Sequence, residues 1–205
     1  MALKKQKLVD GLKDAFAKAK EVEEKTKKDS EGNDVKVSEA KNSQSDIAGF
    51  IADAIVSYAS DAEVTVNVAF PSTPPPPPAD LSVVGKKLKV QTAQVGKAAL
   101  QTAILTSMNT QDVAMAAITS GIVAYTAASF ITFAGGTVTA AGAAVMAVPP
   151  LLVAPLAVGI AGGEEDDVIN AMATVIHTSF LGTIFTGVGA NTAPPSSGPL
   201  VSTLS

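Results

Sequence analysis

The sequence predicts an α+β fold of repeated helix–helix–strand units with Pro/Gly-rich extended tails, completed by oligomerisation. One observation is that segments with helical apolar spacing alternate with shorter Thr/Val/Phe-rich segments ending in Gly or Pro. A second is the small size of the apolar side chains, since aromatics make up only 4% of the chain and Trp is absent. Small side chains each bury little area, so we expect neighbouring chains to complete the core.

The third observation is the distribution of charge. All 15 basic residues are lysines at or before Lys97, whereas the stretches 113–163 and 168–205 hold no charged residue. A small monomer in water has too much surface for its volume to leave such long stretches uncharged. We therefore expect this half of the chain to be covered by a membrane or by other protein.

The first predicted unit spans 1–85. Segment 3–25 has apolar residues at helical spacing, with lysines and glutamates opposite them, and predicts an amphipathic helix. The polar segment 27–45 predicts a solvated loop. A second helix is predicted to begin with Asp46 as its N-cap.

This unit is predicted to end in a strand and a proline segment. Residues 63–70 alternate between apolar and polar, which predicts a strand. Its apolar side is formed by Val64, Val66, Val68 and Phe70. The proline run 74–78 predicts a polyproline II spacer, because each ring fixes φ and removes a hydrogen-bond donor.

The second and third predicted units span 86–142 and 143–205. A helical stretch is predicted over Lys87–Met108, with its lysines on a solvated face, and further helices are predicted to begin at Asp112 and Asp167. A β-rich segment follows each of these two helices, and a Pro/Gly tail ends the chain.

The three Asp-headed helices have a common pattern. Each is followed by an aromatic residue twelve or thirteen positions after its Asp, namely Tyr58, Tyr125 and Phe180. This order of elements predicts a threefold internal repeat with a period of roughly 55–65 residues. Chance similarity among Ala/Val/Thr-rich helices is the alternative.

Two alternatives explain the uncharged half of the chain, namely burial in a membrane and burial against other proteins. Segments 113–134 and 141–163 each approach the roughly 20 residues that cross a bilayer. However, they are rich in Thr, Ser, Gly and Ala, prolines at 149, 150 and 155 interrupt the second, and an open strand cannot leave its backbone unpaired in lipid. Burial against other proteins, with the strands offering edges for pairing, is the preferred interpretation.

Candidate catalytic residues are absent from the sequence. His177 is the only histidine and Cys is absent, which excludes histidine pairs, disulfides and thiolate metal sites within one chain. No glycine-rich phosphate-binding motif occurs. The acidic run Glu164–Asp167 is typical of a helix N-terminus, and a divalent-cation site is the alternative, although calcium loops space their ligands differently. We expect no catalytic, cofactor or metal site, and His177 is expected to be a satisfied or interface histidine.

The pattern resembles small virion structural proteins of tailed bacteriophages. The resemblance rests on the leading segment KKQKLVDGLKDAF, on the helix-to-strand segment DIAGFIADAIVSYASDAEVTV, and on the tail NTAPPSSGPLVS. It implies a non-enzymatic head, neck or tail component that is assembled in the host cytoplasm and localised in the virion. It also implies other virion proteins and further copies of the chain as partners.

Nucleic acid is not an expected partner, because no region combines a lysine excess with stacking aromatics. A membrane-active ejection or pore component that inserts 113–163 is the alternative function. The residues predicted to contact neighbouring chains are Val64, Val66, Val68, Phe70, Tyr125, Phe130, Phe133, Phe180 and Phe185.

Overall fold

Helices and antiparallel strands alternate along the chain, which confirms the α+β prediction in its coarse form. The computed structural model describes residues 3–66, 86–92, 94–109, 114–135, 138–146, 164–192 and 195–204. The helices in these ranges are α1 (Lys5–Ala19), α2 (Gln44–Ala59), α3 (Gln94–Asn109), α4 (Ala114–Ala127) and α5 (Glu165–Leu181). The strands are β1 (Val22–Lys28), β2 (Asp34–Ala40), β3 (Glu63–Thr65), β4 (Lys87–Lys89), β5 (Gln91–Thr92), β6 (Ser129–Gly135), β7 (Val138–Met146), β8 (Thr183–Thr192) and β9 (Pro195–Thr203).

Helix α2 begins with a capping box rather than with the predicted Asp46 N-cap. Ser43 is the N-cap, and its hydroxyl accepts a hydrogen bond from the Asp46 N–H at 3.2 Å. The Asp46 carboxylate in turn accepts one from the Ser43 N–H at 2.9 Å. Two N–H groups that lack helical partners are satisfied in this way, so the helix starts three residues before the predicted position.

Segment 27–45 was predicted as a loop, and this prediction is wrong over most of its length. Strands β1 and β2 form an antiparallel hairpin with Val22 opposite Ala40 and Lys28 opposite Asp34. Gly32 adopts a φ of +86° in the turn, a conformation that suits glycine. The Asp29 carboxylate accepts hydrogen bonds from the N–H groups of Glu31 and Asn33. Charged side chains lie on both faces of this hairpin. The apolar periodicity of the sequence therefore did not indicate its strands.

Strand β3 pairs with β4, with Val64 opposite Leu88. The lysines of β4 therefore lie on a strand, and the predicted helix over Lys87–Met108 begins only at Gln94. Val64 and Val66 are both fully buried, as expected for one face of an alternating strand. The predictions for Val68, Phe70, the proline run and the helix start at Asp112 fall outside the described residues.

The largest sheet has five antiparallel strands in the order β5-β6-β7-β8-β9. The predicted C-terminal tail is strand β9 over most of its length, since nine residue pairs join it to β8 from Ile184–Thr203 to Thr192–Pro195. The boundary predicted between the second and third units, at 142/143, falls inside β7.

One face of this sheet packs against the helices. Ile131, Gly142, Gly187 and Leu200 form a row across β6 to β9, with a large side chain at each end. A Cβ atom on Gly187 would lie 1.9 Å from the Ala141 carbonyl oxygen, so only glycine fits there. The two glycines leave space on this face, where Ile131 and Leu200 are almost fully buried.

The three aromatic residues at the helix ends meet in the core. The Phe180 ring packs edge-on against the Tyr58 ring at 5.7 Å and against the Tyr125 ring at 6.3 Å between centroids. Edge-to-face pairs of this kind add to the energy of area burial. Phe180 of α5 thereby joins α2 to α4.

A candidate protein-binding face

The other face of the five-stranded sheet is exposed, and we call it the outer face. Successive residues of a strand point to opposite sides, so the neighbours of the buried residues in β6 to β9 point away from the helices. Val145, Val188 and Val201 on this face expose 54%, 58% and 54% of their surface. Further exposed residues of the outer face, within the described part of these strands, are Thr132, Ala134, Ala141, Ala143, Thr186, Ser197 and Pro199. Large apolar side chains are thus held in solvent by the sheet register.

The outer face contains a shallow groove. A depression of about 490 Å³ lies over β6, β7 and β8, where Ala141 and Ala143 contribute only methyl groups. Phe130 and Thr132 border it on the β6 side, and Val188 borders it on the β8 side. The strand pairing places Phe130, Ala143, Thr186 and Val201 in one row across the sheet. The surface therefore has ridges on either side of a low strand.

The outer face carries no formal charge. Strands β6 to β9 contain no Asp, Glu, Lys or Arg, and among the side chains whose exposure is described, the polar ones on the outer face are the hydroxyls of Thr132, Thr186 and Ser197. An exposed sheet of a soluble protein ordinarily alternates apolar and polar residues, and depletion of charge is typical of the core of a protein interface. The face has the composition of a surface that another protein covers.

The edge of the sheet is less suited to pairing than its face. Edge strand β9 contains Pro195 and Pro199, which have no N–H to donate. Just beyond its end, Leu204 forms an antiparallel bridge with Val64. We predicted that strands with Pro/Gly tails would offer edges to neighbouring chains, and these prolines favour the face of the sheet instead.

The structure places five of the nine predicted interface residues in the chain's own core. Val64, Val66, Tyr125, Phe180 and Phe185 are each no more than 4% exposed. For these side chains, packing within the chain takes the place of the predicted contact with a neighbour. Large aromatic side chains gain most from burial, which accounts for the inward positions of Tyr125, Phe180 and Phe185.

Of the other predicted interface residues, Phe130 lies beside the groove and is half-buried. Phe133 packs against the core, and the Lys86 ammonium lies 4.7 Å from its ring centroid. Val68 and Phe70 are outside the described residues.

Sequence reasoning missed Val145, Thr186, Val188 and Val201. For Thr186 and Val188 the signal is the two-residue alternation in TIFTGVGA, because the strand that buries Phe185 must turn Thr186 outward.

His177 is a hydrogen-bonded residue within the helical layer. Its Nδ1 lies 2.6 Å from the hydroxyl of the fully buried Tyr58. Burial raises the pKa of Tyr58, so its hydroxyl stays protonated, and the tautomer of His177 determines which of the two groups donates. Burial, and secondarily the positive charge of Lys5, lowers the pKa of His177. The hydrogen bond to Tyr58 holds the imidazole against α2. His177 therefore has a hydrogen-bond partner within the chain, as predicted.

The acidic run lies at the start of α5. Glu165, Asp166 and Asp167 occupy the first helical turn, where negative charge complements the helix dipole. The Lys13 ammonium lies 2.7 Å from the Asp166 carboxylate, and Lys20 pairs with Glu165. These carboxylates therefore also hold α5 to α1. The part of the chain that the structure describes contains no cluster of three or more groups that could hold a metal ion.

An apolar cavity of about 370 Å³ lies between the helices. All five helices contribute to its lining, which includes Phe16, Ile51, Ile104, Ile118 and Met172. Its polar side chain, Ser107, donates its hydroxyl hydrogen to the Ile104 carbonyl at 2.6 Å. Among the described residues, its lining contains no titratable group.

The described part of the predicted membrane segment 113–163 contains one helix and two strands. Helix α4 has 14 residues, which at about 1.5 Å per residue spans less than the roughly 30 Å hydrocarbon core of a bilayer. Strands β6 and β7 follow it. Among the described residues, no helix is both long and apolar enough to cross a membrane.

No family model, curated protein or solved structure matches the chain. Its fold and its surfaces are therefore what point to a function.

Proposed function

We propose that this chain is a non-enzymatic structural or assembly protein that binds neighbouring protein chains through its outer face. The observation that carries the proposal is the exposed, uncharged surface of β6 to β9, where Val145, Val188 and Val201 are each more than half exposed. Removing such side chains from water favours association, at about 25 cal/mol for each Å² of apolar surface buried.

The distribution of charge supports this division of surfaces. Ion pairs cover the β1–β2 hairpin, as between Lys28 and Asp34 and between Lys36 and Glu24. Burying such charges between chains would cost desolvation energy, whereas the outer face has none to desolvate. Association through the outer face would therefore leave the charged hairpin in water.

The proposed setting is the virion of a tailed bacteriophage, as a head, neck or tail component that assembles in the host cytoplasm. Its support is the resemblance of the leading helix, the helix-to-strand segment and the Pro/Gly-rich end to small virion proteins. Other virion structural proteins, and further copies of this chain, are the proposed neighbours.

We also propose that the helix–strand units descend from one repeated unit. Helices α2, α4 and α5 each pass to a strand within a few residues, and each of those strands pairs with another strand of the sheet system. The corresponding aromatics Tyr58, Tyr125 and Phe180 meet in one cluster. The repeated element is thus a helix followed by an antiparallel strand pair, which modifies the predicted helix–helix–strand unit.

Incorporation into particles tests the proposal. Val188→Asp places a charge on the outer face, and Val35→Asp places the same charge on the hairpin, where Val35 is 41% exposed. Each variant is expressed during particle production, and the chain is quantified in purified particles by mass spectrometry. We expect Val35→Asp to be incorporated like the wild type and Val188→Asp to be lost. Equal incorporation of the two variants, or absence of the wild-type chain from particles, would contradict the proposal.

A further inference from the structure

We infer that the outer face binds the same face of a second copy of this chain, so that two five-stranded sheets pack face to face around a two-fold axis. The inference rests on the proposed function, because it names the neighbour that covers the face. Two sheets packed in this way lie about 10 Å apart, with their side chains interdigitated.

The absence of charge favours a second copy over a different protein. In a two-fold interface the same patch faces itself, so any charge near the axis meets a like charge and is repelled by it. A patch selected to bind a different protein gains specificity from complementary charge. Strands β6 to β9 contain no charged residue, so these strands bring no like charges together when the face packs on itself.

The shape of the face is also complementary to itself. Ala141 and Ala143 on β7 form the floor of the groove, while Phe130 on one side and Val188 on the other stand above it. On β9, Val201 extends the higher side, since it pairs with Thr186 next to the Val188–Pro199 pair. A two-fold rotation sets the ridge of one copy over the groove of the other, so each copy provides both the projection and the cavity.

The size of the face is sufficient for a specific contact. With strands about 4.8 Å apart and residues about 3.3 Å apart, the outer face of β6 to β9 covers roughly 500 Å². Two copies therefore bury roughly 1,000 Å², which is the lower limit for a biological interface with good shape complementarity. Pairing through β9 instead would have to accommodate Pro195 and Pro199 at the sheet edge.

A charge-pair experiment on the full chain tests this inference. Thr186 is exposed and lies on the row that crosses the groove. Sedimentation velocity is measured for the wild type, Thr186→Lys, Thr186→Glu and an equimolar mixture of these two variants. We expect the wild type to sediment as a dimer, each variant alone as a monomer, and the mixture as a dimer again. Ser38→Lys on the exposed hairpin is the matched control and should remain a dimer.

The outcomes separate this inference from the proposed function. A monomeric wild type, a dimeric Thr186→Lys or a mixture that stays monomeric would overturn the pairing of two copies. If the wild type is monomeric while Val188→Asp is still lost from particles, the outer face binds a different protein and the proposed function stands. Circular dichroism verifies that the variants fold, and Val201→Lys, at another exposed outer position, replaces Thr186→Lys if that chain is unfolded.

Discussion

The β1–β2 hairpin and the outer face of the five-stranded sheet are both exposed, but they differ in charge and in support. The hairpin contains several ion pairs, among them Lys25 with Glu23 at 2.6 Å and Lys28 with Asp34 at 2.7 Å. The outer face is uncharged, and the opposite side of its sheet is packed on the helices. A charged ribbon is stable in water only marginally, whereas a supported apolar sheet is rigid and gains by being covered. Exposure alone therefore does not identify a binding surface.

The largest expected difference between the two regions is in local stability. Amides of β8 lie between two strands of a packed sheet and should exchange with solvent only on global unfolding, whereas hairpin amides open locally. With global stabilities of about 5 kcal/mol or more, β8 amides should exchange more than about 1,000-fold more slowly than those of β1. Hydrogen exchange followed by mass spectrometry measures this ratio. Similar rates in β1 and β8 would show that the sheet is not the stable unit.

Two glycine substitutions should differ in their effect on stability. The one in the five-stranded sheet should destabilise the protein strongly, whereas the one in the hairpin should have a small, local effect. Gly187→Ala drives a Cβ atom into the Ala141 backbone and should lower the free energy of unfolding by about 3 kcal/mol or more. Gly32→Ala meets no atom within 4 Å but strains a φ of +86°, at about 1 kcal/mol and only within the hairpin. Urea denaturation monitored by circular dichroism compares the two. A larger loss for Gly32→Ala would contradict the distinction.

A change in pH should affect the helical layer that supports the sheet and spare the hairpin. The pKa of His177 is lowered in the folded chain by burial, so the unfolded chain binds a proton more tightly. Stability is then complete above the unfolded pKa of about 6.5 and falls as pH drops below it. Thermal melts between about pH 5 and 8 measure this loss, and His177→Gln should remove it because the chain has one histidine.

In the hairpin, hydrogen bonds move the pKa values of Glu39 and Lys25 further from neutral pH. The hydrogen bond from Lys27 lowers the pKa of Glu39, and the hydrogen bond to Glu23 raises the pKa of Lys25. Hairpin amide exchange, corrected for the intrinsic effect of pH, should therefore be flat between about pH 5.5 and 8. A hairpin-specific change in this range would contradict the assignment of the titration to His177.

The smallest expected effect is that of salt. The hairpin ion pairs are exposed, so a salt concentration of about 1 M should screen them and speed hairpin exchange a few-fold. The self-association of the outer face, which involves no charge, should not weaken. Sedimentation and hydrogen exchange at two salt concentrations separate these responses, and salt-induced dissociation would indicate an electrostatic interface instead.

The sequence predicted those elements whose apolar periodicity is strong. Helix α2, the β-rich segments after α4 and α5, and the alternating burial of Val64 and Val66 follow from spacing alone. The β1–β2 hairpin was missed because Lys and Glu occupy both of its faces. Strand β9 was missed because Pro195, Gly198 and Pro199 are typical of a tail, and only pairing with β8 makes them a strand.

An uncharged surface was predicted, but the residues that form it were predicted wrongly. The uncharged half of the chain does present an uncharged surface, but Phe180 and Phe185 lie beneath it in the core. Which side of a strand faces the helices depends on the register with its neighbours, and a single chain segment does not specify this. Composition therefore predicted that the surface exists, while the pairing of β7 with β8 determined which side chains form it.

The most direct test of the central claim compares two valines on the two regions. Val201 on the outer face and Val22 on the hairpin are 54% and 65% exposed in the single chain, and the chain has no native cysteine. Val201→Cys and Val22→Cys are labelled with a maleimide in the native protein and again in denaturant. If the outer face is covered by another chain, Val201→Cys should react at least about tenfold more slowly in the native protein, while Val22→Cys reacts at similar rates in both states. Equally fast native labelling at both positions would contradict the account.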